Sequence, residues 1–95
     1  MNRTKIEEQV LEALGAAVPG AKARAIDPAL LIRDQVDMDS MDYLDFVLAV
    51  ERRFSVRVPP ASYPLFATVE HAADCVERLL ETAAPASAGS TPGRR

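Results

Sequence analysis

The sequence has 95 residues, 48% apolar, 26% charged and 5% aromatic, with a formal net charge of −3, a profile that fits one small soluble domain and excludes two-domain and membrane-spanning architectures. Sixteen alanines aside, about 30 bulky apolar side chains remain, enough for one small core. One Cys and one His exclude an internal disulfide and a four-ligand zinc site, and 14 acids against 11 bases, with no basic cluster interleaved with aromatics, exclude a nucleic-acid footprint.

Met1-Asn2-Arg3-Thr4 carries no signal-peptide apolar region, so a cytoplasmic protein is expected. From Thr4 to about Ala17, Ile6, Val10, Leu11 and Leu14 recur at helical spacing and predict an amphipathic helix. Thr4 is the expected N-cap, with Glu7 completing a capping box, and Pro19-Gly20 stops the helix. From there to Asp39 the isolated apolar residues Ile26, Leu30, Leu31, Ile32 and Val36 show no lasting period, which predicts a long loop partly packed on the core.

A second helix is predicted from about Ser40 to Ser55, capped by Asp39 or Ser40, with Asp42 in its first turn and Arg52 and Arg53 in its last, where the helix dipole favours each charge. Pro59, Pro60 and Pro64 confine Ala61–Phe66 to a short turn or single helical turn. A final helix is expected from Thr68 to about Ala83, with Val69, Ala72, Val76, Leu79, Leu80 and Ala83 on one face. Residues 84–95 hold no bulky apolar side chain, so a folded domain over 1–83 and a disordered tail over 84–95 are expected. The fold class is all-α.

The second helix is unusual. At 100° per residue, Tyr43, Phe46, Val47, Val50 and Phe54 form a core stripe, while Met41, Leu44 and Leu48 fall on the opposite side with Asp42 and Asp45. Such a helix is either buried all round or offers its second stripe to a partner; the interleaved acids favour a docking face. Asp34 to Glu51 holds six acidic residues and no Lys or Arg, so this segment carries −6 and the remainder, with 11 bases and 8 acids, +3. A partner with a basic patch around an apolar depression would match it, charge supplying steering and register. Asp37-x-Asp39 opens like an EF-hand loop, but Asp42 replaces the glycine of the sixth position and Leu48 the glutamate of the twelfth.

Ser40 stands at the start of this helix, where amide N–H groups and the dipole favour phosphate, although a simple cap would have the same sequence. It has no G-x-S-x-G elbow, and the sole histidine, His71, sits 31 residues away on another predicted helix as a plain surface residue. Cys75, at the edge of the last helix's apolar face, reads as an inert, partly buried small hydrophobe.

Read together, Val36 to Pro59 and the later Ala67-Thr68-Val69 resemble the acyl carrier protein family over about residues 4–82. Asp39-Ser40-Met41 matches the Asp-Ser-Leu motif that opens that family's second helix. Glu51-Arg-Arg-Phe54-Ser-Val-Arg-Val-Pro59 matches its Glu-x-x-Phe-Gly-Ile-x-Ile-Pro ending. Departures are Asp37 where glycine is frequent, Met41 for leucine, and Ser55 where glycine is usual.

The resemblance implies a small four-helix bundle with a long first loop and a short third helix. It further implies a non-catalytic, monomeric carrier whose Ser40, preceded by Asp39, receives 4′-phosphopantetheine from coenzyme A through a phosphopantetheinyl transferase. Acyl groups would ride on that arm as thioesters between enzymes of fatty-acid, polyketide or related lipid biosynthesis. Met41, Asp42, Leu44, Asp45, Leu48 and Glu51 would be read by acyl-transferring, ligating or synthase partners with basic docking patches. An aminoacyl or peptidyl carrier, and an unmodified helical adaptor binding through Met41, Leu44 and Leu48, are the alternatives.

Overall fold

The computed structural model describes residues 2–21 and 25–83. The expected tail over 84–95 lies outside these described residues, within which all regular structure is helical. Three α-helices of 15 residues each, α1 (Arg3–Ala17), α2 (Ser40–Phe54) and α3 (Val69–Ala83), are joined by segments containing 3-10 helices at Ile32–Asp34 and Pro60–Ala67. Among the described residues no helix is long and apolar enough to cross a membrane.

α1 packs against both other α-helices, and the second 3-10 segment lies mainly on α3. Ile6, Val10 and Leu14 meet Phe46, Val47 and Val50 of α2 and Val69, Ala72 and Val76 of α3 in one continuous core. These are the residues at helical spacing, and burying each removes an amount of apolar area from water worth about 1.5–3 kcal/mol for a large side chain. Phe46 and Phe66 form an edge-to-face pair at its centre, ring centroids 5.5 Å apart and planes at 70°.

Two local expectations are corrected. Thr4 is not the N-cap of α1: Asn2 is, its side chain accepting from the Lys5 N–H at 2.8 Å, and Thr4 lies inside the helix. Nor does Glu7 close a capping box, because its carboxylate accepts from Arg3 Nε at 2.9 Å. Moving the cap two residues earlier places Arg3 where it also binds Asp74, Glu77 and the Glu70 carbonyl of α3. Asn caps as well as Thr, so this tertiary clamp selects the frame. Hydrogen bonds to Asp74 and then Glu7 hold the guanidinium pKa above its ordinary value.

The Ala61–Phe66 turn is a longer 3-10 segment that keeps Pro64 inside it. Proline removes a donor from the ladder, and the segment is held by other means, the buried Phe66 and a hydrogen bond from the Tyr43 hydroxyl to the Tyr63 carbonyl. The described part of the long first loop is partly packed on the core, as expected. Ile32 and Val36 anchor it in the core, and the 3-10 turn between them is too short to give a periodic signal.

Candidate functional site

Asp39 leaves the loop in an extended conformation (φ −97°, ψ −175°) and α2 begins at Ser40. Asp39 Oδ1 accepts from the Asp42 N–H at 2.8 Å, and Asp42 Oδ2 accepts from the Asp39 N–H at 3.3 Å, a complete capping box. Tyr43 N–H donates to the Asp39 carbonyl at 3.0 Å, the first bond of the helical ladder. The amides of Ser40 and Met41 therefore stand at the open, positive end of the helix, and the Ser40 side chain is exposed. The predicted start of this helix is reproduced, with Asp39 rather than Ser40 as the cap, so the hydroxyl is not engaged in capping.

Beside Ser40 lies a half-open cleft of about 600 Å³. Leu31, Ile32 and Arg33 form one wall, Pro64 and Ala67 of the 3-10 segment the other, and Met38 and Tyr43 flank the serine. Its size is within the range of small-molecule sites. Tyr43, expected simply as core, is half-buried, its ring against the core, and its hydroxyl fastens the Pro64 wall through Tyr63; burial raises the phenol pKa. Among the described residues, Arg33 is the single basic one lining the cleft. Arg33 carries no motif of its own, and Leu31, Ile32, Pro64 and Ala67 read in the sequence only as loop, turn and helix-boundary residues, so nothing local signals a cleft.

The second stripe of α2 is exposed. Met41 keeps 67% of its surface accessible, Leu44 39% and Leu48 36%, whereas Phe46, Val47 and Val50 keep none. Asp45 is exposed among the three apolar residues. Burial on all sides is thereby excluded for this helix. The other predicted acids have structural partners: Asp42 in the capping box, and Glu51 through Oε2, which accepts from the Val58 N–H at 2.7 Å. Glu51 thus fixes the chain after α2, about 16 Å along the helix from Ser40 at 1.5 Å per residue.

His71 is exposed on the first turn of α3, its N–H donating to Thr68 Oγ1 at 3.0 Å, and it does not line the cleft. Cys75 is buried, and burial pushes its thiol pKa up. No protein-family model matches the sequence, and no solved structure matches the fold.

Proposed function

We propose that the protein is an acyl carrier, with Ser40 as the attachment point of a 4′-phosphopantetheine arm. The observation that carries this reading is the serine itself: an exposed hydroxyl on the first residue of α2, freed from capping by Asp39, at the mouth of a largely apolar cleft. The residues present fit such a group. The helix end favours the negative charge of a phosphodiester, and the cleft offers apolar surface to what hangs from it. The arm, when attached, supplies a thiol on which acyl groups are held as thioesters.

Modification would break the Ser40 Oγ–H bond, form a phosphodiester to the arm and release adenosine 3′,5′-bisphosphate from coenzyme A, catalysed by a separate Mg²⁺-dependent transferase. Met41, Leu44 and Leu48 with Asp45 supply an apolar and acidic docking strip beginning one residue from the arm. Partners with a basic patch are steered to it electrostatically. The cargo class, acyl or aminoacyl, is left to the partners that load it.

The test is intact mass after incubation with coenzyme A, Mg²⁺ and a broad-specificity phosphopantetheinyl transferase, for the native protein and Ser40→Ala. One arm's mass added to the native protein and none to the variant is expected. No gain with several transferases sinks the carrier reading in favour of an adaptor using the strip alone. For the strip, Asp45→Lys is a cleaner probe than Asp42→Lys, because Asp42 also caps the helix. Weaker partner binding at low salt with unchanged helix content is expected.

A further inference from the structure

The cleft wall opposite Pro64 is a stretch of loop, and one side chain that does not line the cleft, Gln35, is hydrogen-bonded to the chain that leads into it. Gln35 Oε1 accepts from the Asp27 N–H at 2.7 Å, and Gln35 Nε2 faces the carbonyls of Asp27 at 3.0 Å and of Leu30 and Leu31 at 3.3 Å each. The amide thus pairs with Asp27 as a neighbouring strand would and gathers the next carbonyls of the arch. Among the described residues the arch's other hydrogen bonds run from Ala29 N–H to Asp27 Oδ1, from Leu30 N–H to the Asp27 carbonyl, from Asp34 N–H to the Leu31 carbonyl, and from Glu70 N–H of α3 to the Pro28 carbonyl. Leu31 ends this arch, 40% exposed and facing the cleft, and Ile32 then drops into the core.

We propose that Gln35 is the positioning residue of the cleft: by clasping the 27–31 arch it holds Leu31 across from Pro64 and Ala67, and so gives the cleft its capacity to shelter a medium-length acyl chain. The proposal rests on the carrier reading above. The chemistry is specific to a side-chain amide, which both donates and accepts. Glutamate keeps the acceptor for Asp27 N–H but presents a carboxylate to three carbonyl oxygens, and methionine keeps only the shape. With the clasp gone, buried Ile32 and the 3-10 turn it opens stay anchored, so the core stays folded while Leu31 and the arch before it move.

The experiment loads full-length protein with an acetyl or an octanoyl arm, transferred from the corresponding acyl-coenzyme A onto Ser40, and follows thioester cleavage by hydroxylamine using intact mass. In the native protein the octanoyl thioester reacts more slowly than the acetyl one, because only the longer chain reaches the cleft. In Gln35→Met and Gln35→Glu the octanoyl rate rises about five- to tenfold, the scale of one net hydrogen bond or more, while the acetyl rate and amide exchange at Phe46, Val50 and Val76 stay as in the native protein. Octanoyl protection retained in both variants overturns the proposal. So does an equal acceleration of both thioesters, which marks general loosening, or a native protein that protects neither. Failure of Ser40 to accept any arm is a different result: it removes the carrier reading, and this proposal with it.

Discussion

Replacing Asp39 by alanine isolates the device that presents Ser40. The substitution removes the acceptor of the 2.8 Å bond from Asp42 N–H, while the backbone N–H at position 39 that donates to the Asp42 carboxylate is kept. Loss of an N-cap costs about 1 kcal/mol, and loss of a carboxylate at the positive helix end adds about 0.3–1 kcal/mol, at the lower end here because the site is exposed. The return bond, 3.3 Å long and solvent-exposed, contributes little. A total of about 1–1.5 kcal/mol lowers the melting temperature by about 5–10 °C for a domain of this size.

Asp39→Asn keeps an acceptor of the same length and loses only the charge, so about 0.5 kcal/mol is expected for it. Circular dichroism at 222 nm through thermal and urea unfolding measures both variants, with an unchanged urea slope showing that the native and unfolded states expose the same surface as before. The order native, then Asn, then Ala is the signature of capping. An alanine variant that melts with the native protein, or an asparagine variant that falls as far as alanine, would refute the assignment of Asp39 as the cap.

Two further perturbations address the end of α2 and the core of α3. Ser55 closes α2 in the left-handed conformation (φ 56°, ψ 46°), where a Cβ is strained, so Ser55→Gly is expected to raise stability by about 0.5–1 kcal/mol in urea unfolding; a decrease would show that the serine side chain holds this turn. Burial raises the Cys75 thiol above its ordinary value of 9.0, so the folded protein keeps the proton while the unfolded chain loses it. Its contribution is therefore complete below pH 9.0 and is lost as pH rises through the folded value, and stability in urea should fall more steeply above pH 9.0 for the native protein than for Cys75→Ala. Parallel pH profiles would contradict this.

The three α-helices were legible because each repeats its apolar residues at 3.6-residue spacing, and the two-sided pattern of α2 was legible for the same reason. Met41, Leu44 and Leu48 lie at i, i+3 and i+7 opposite the core stripe, and their exposure follows from geometry that any α-helix imposes. The cap of α2 was legible to within Asp39 or Ser40, and the Asp39–Asp42 pair that decides for Asp39 is local, three residues apart. The frame of α1 was not: Asn2 and Thr4 are comparable caps, and the choice between them follows from Arg3 reaching Asp74, 71 residues away.

The cleft belongs wholly to this second class. Its walls come from residues 31–33 and from Pro64 and Ala67, and its flank from Met38 and Tyr43, stretches that share no period and meet only when the loop and the 3-10 segment pack on the same end of α2. Gln35 escapes a linear reading for the same reason, because the carbonyls of Asp27, Leu30 and Leu31 that its amide meets share no motif or period with it. Local sequence by itself determined that a serine opens an acidic, two-faced helix, since periodicity and capping act within a few residues. Only the tertiary structure decided what stands beside that serine, because a cavity is made by chain segments that are neighbours in space and strangers in sequence.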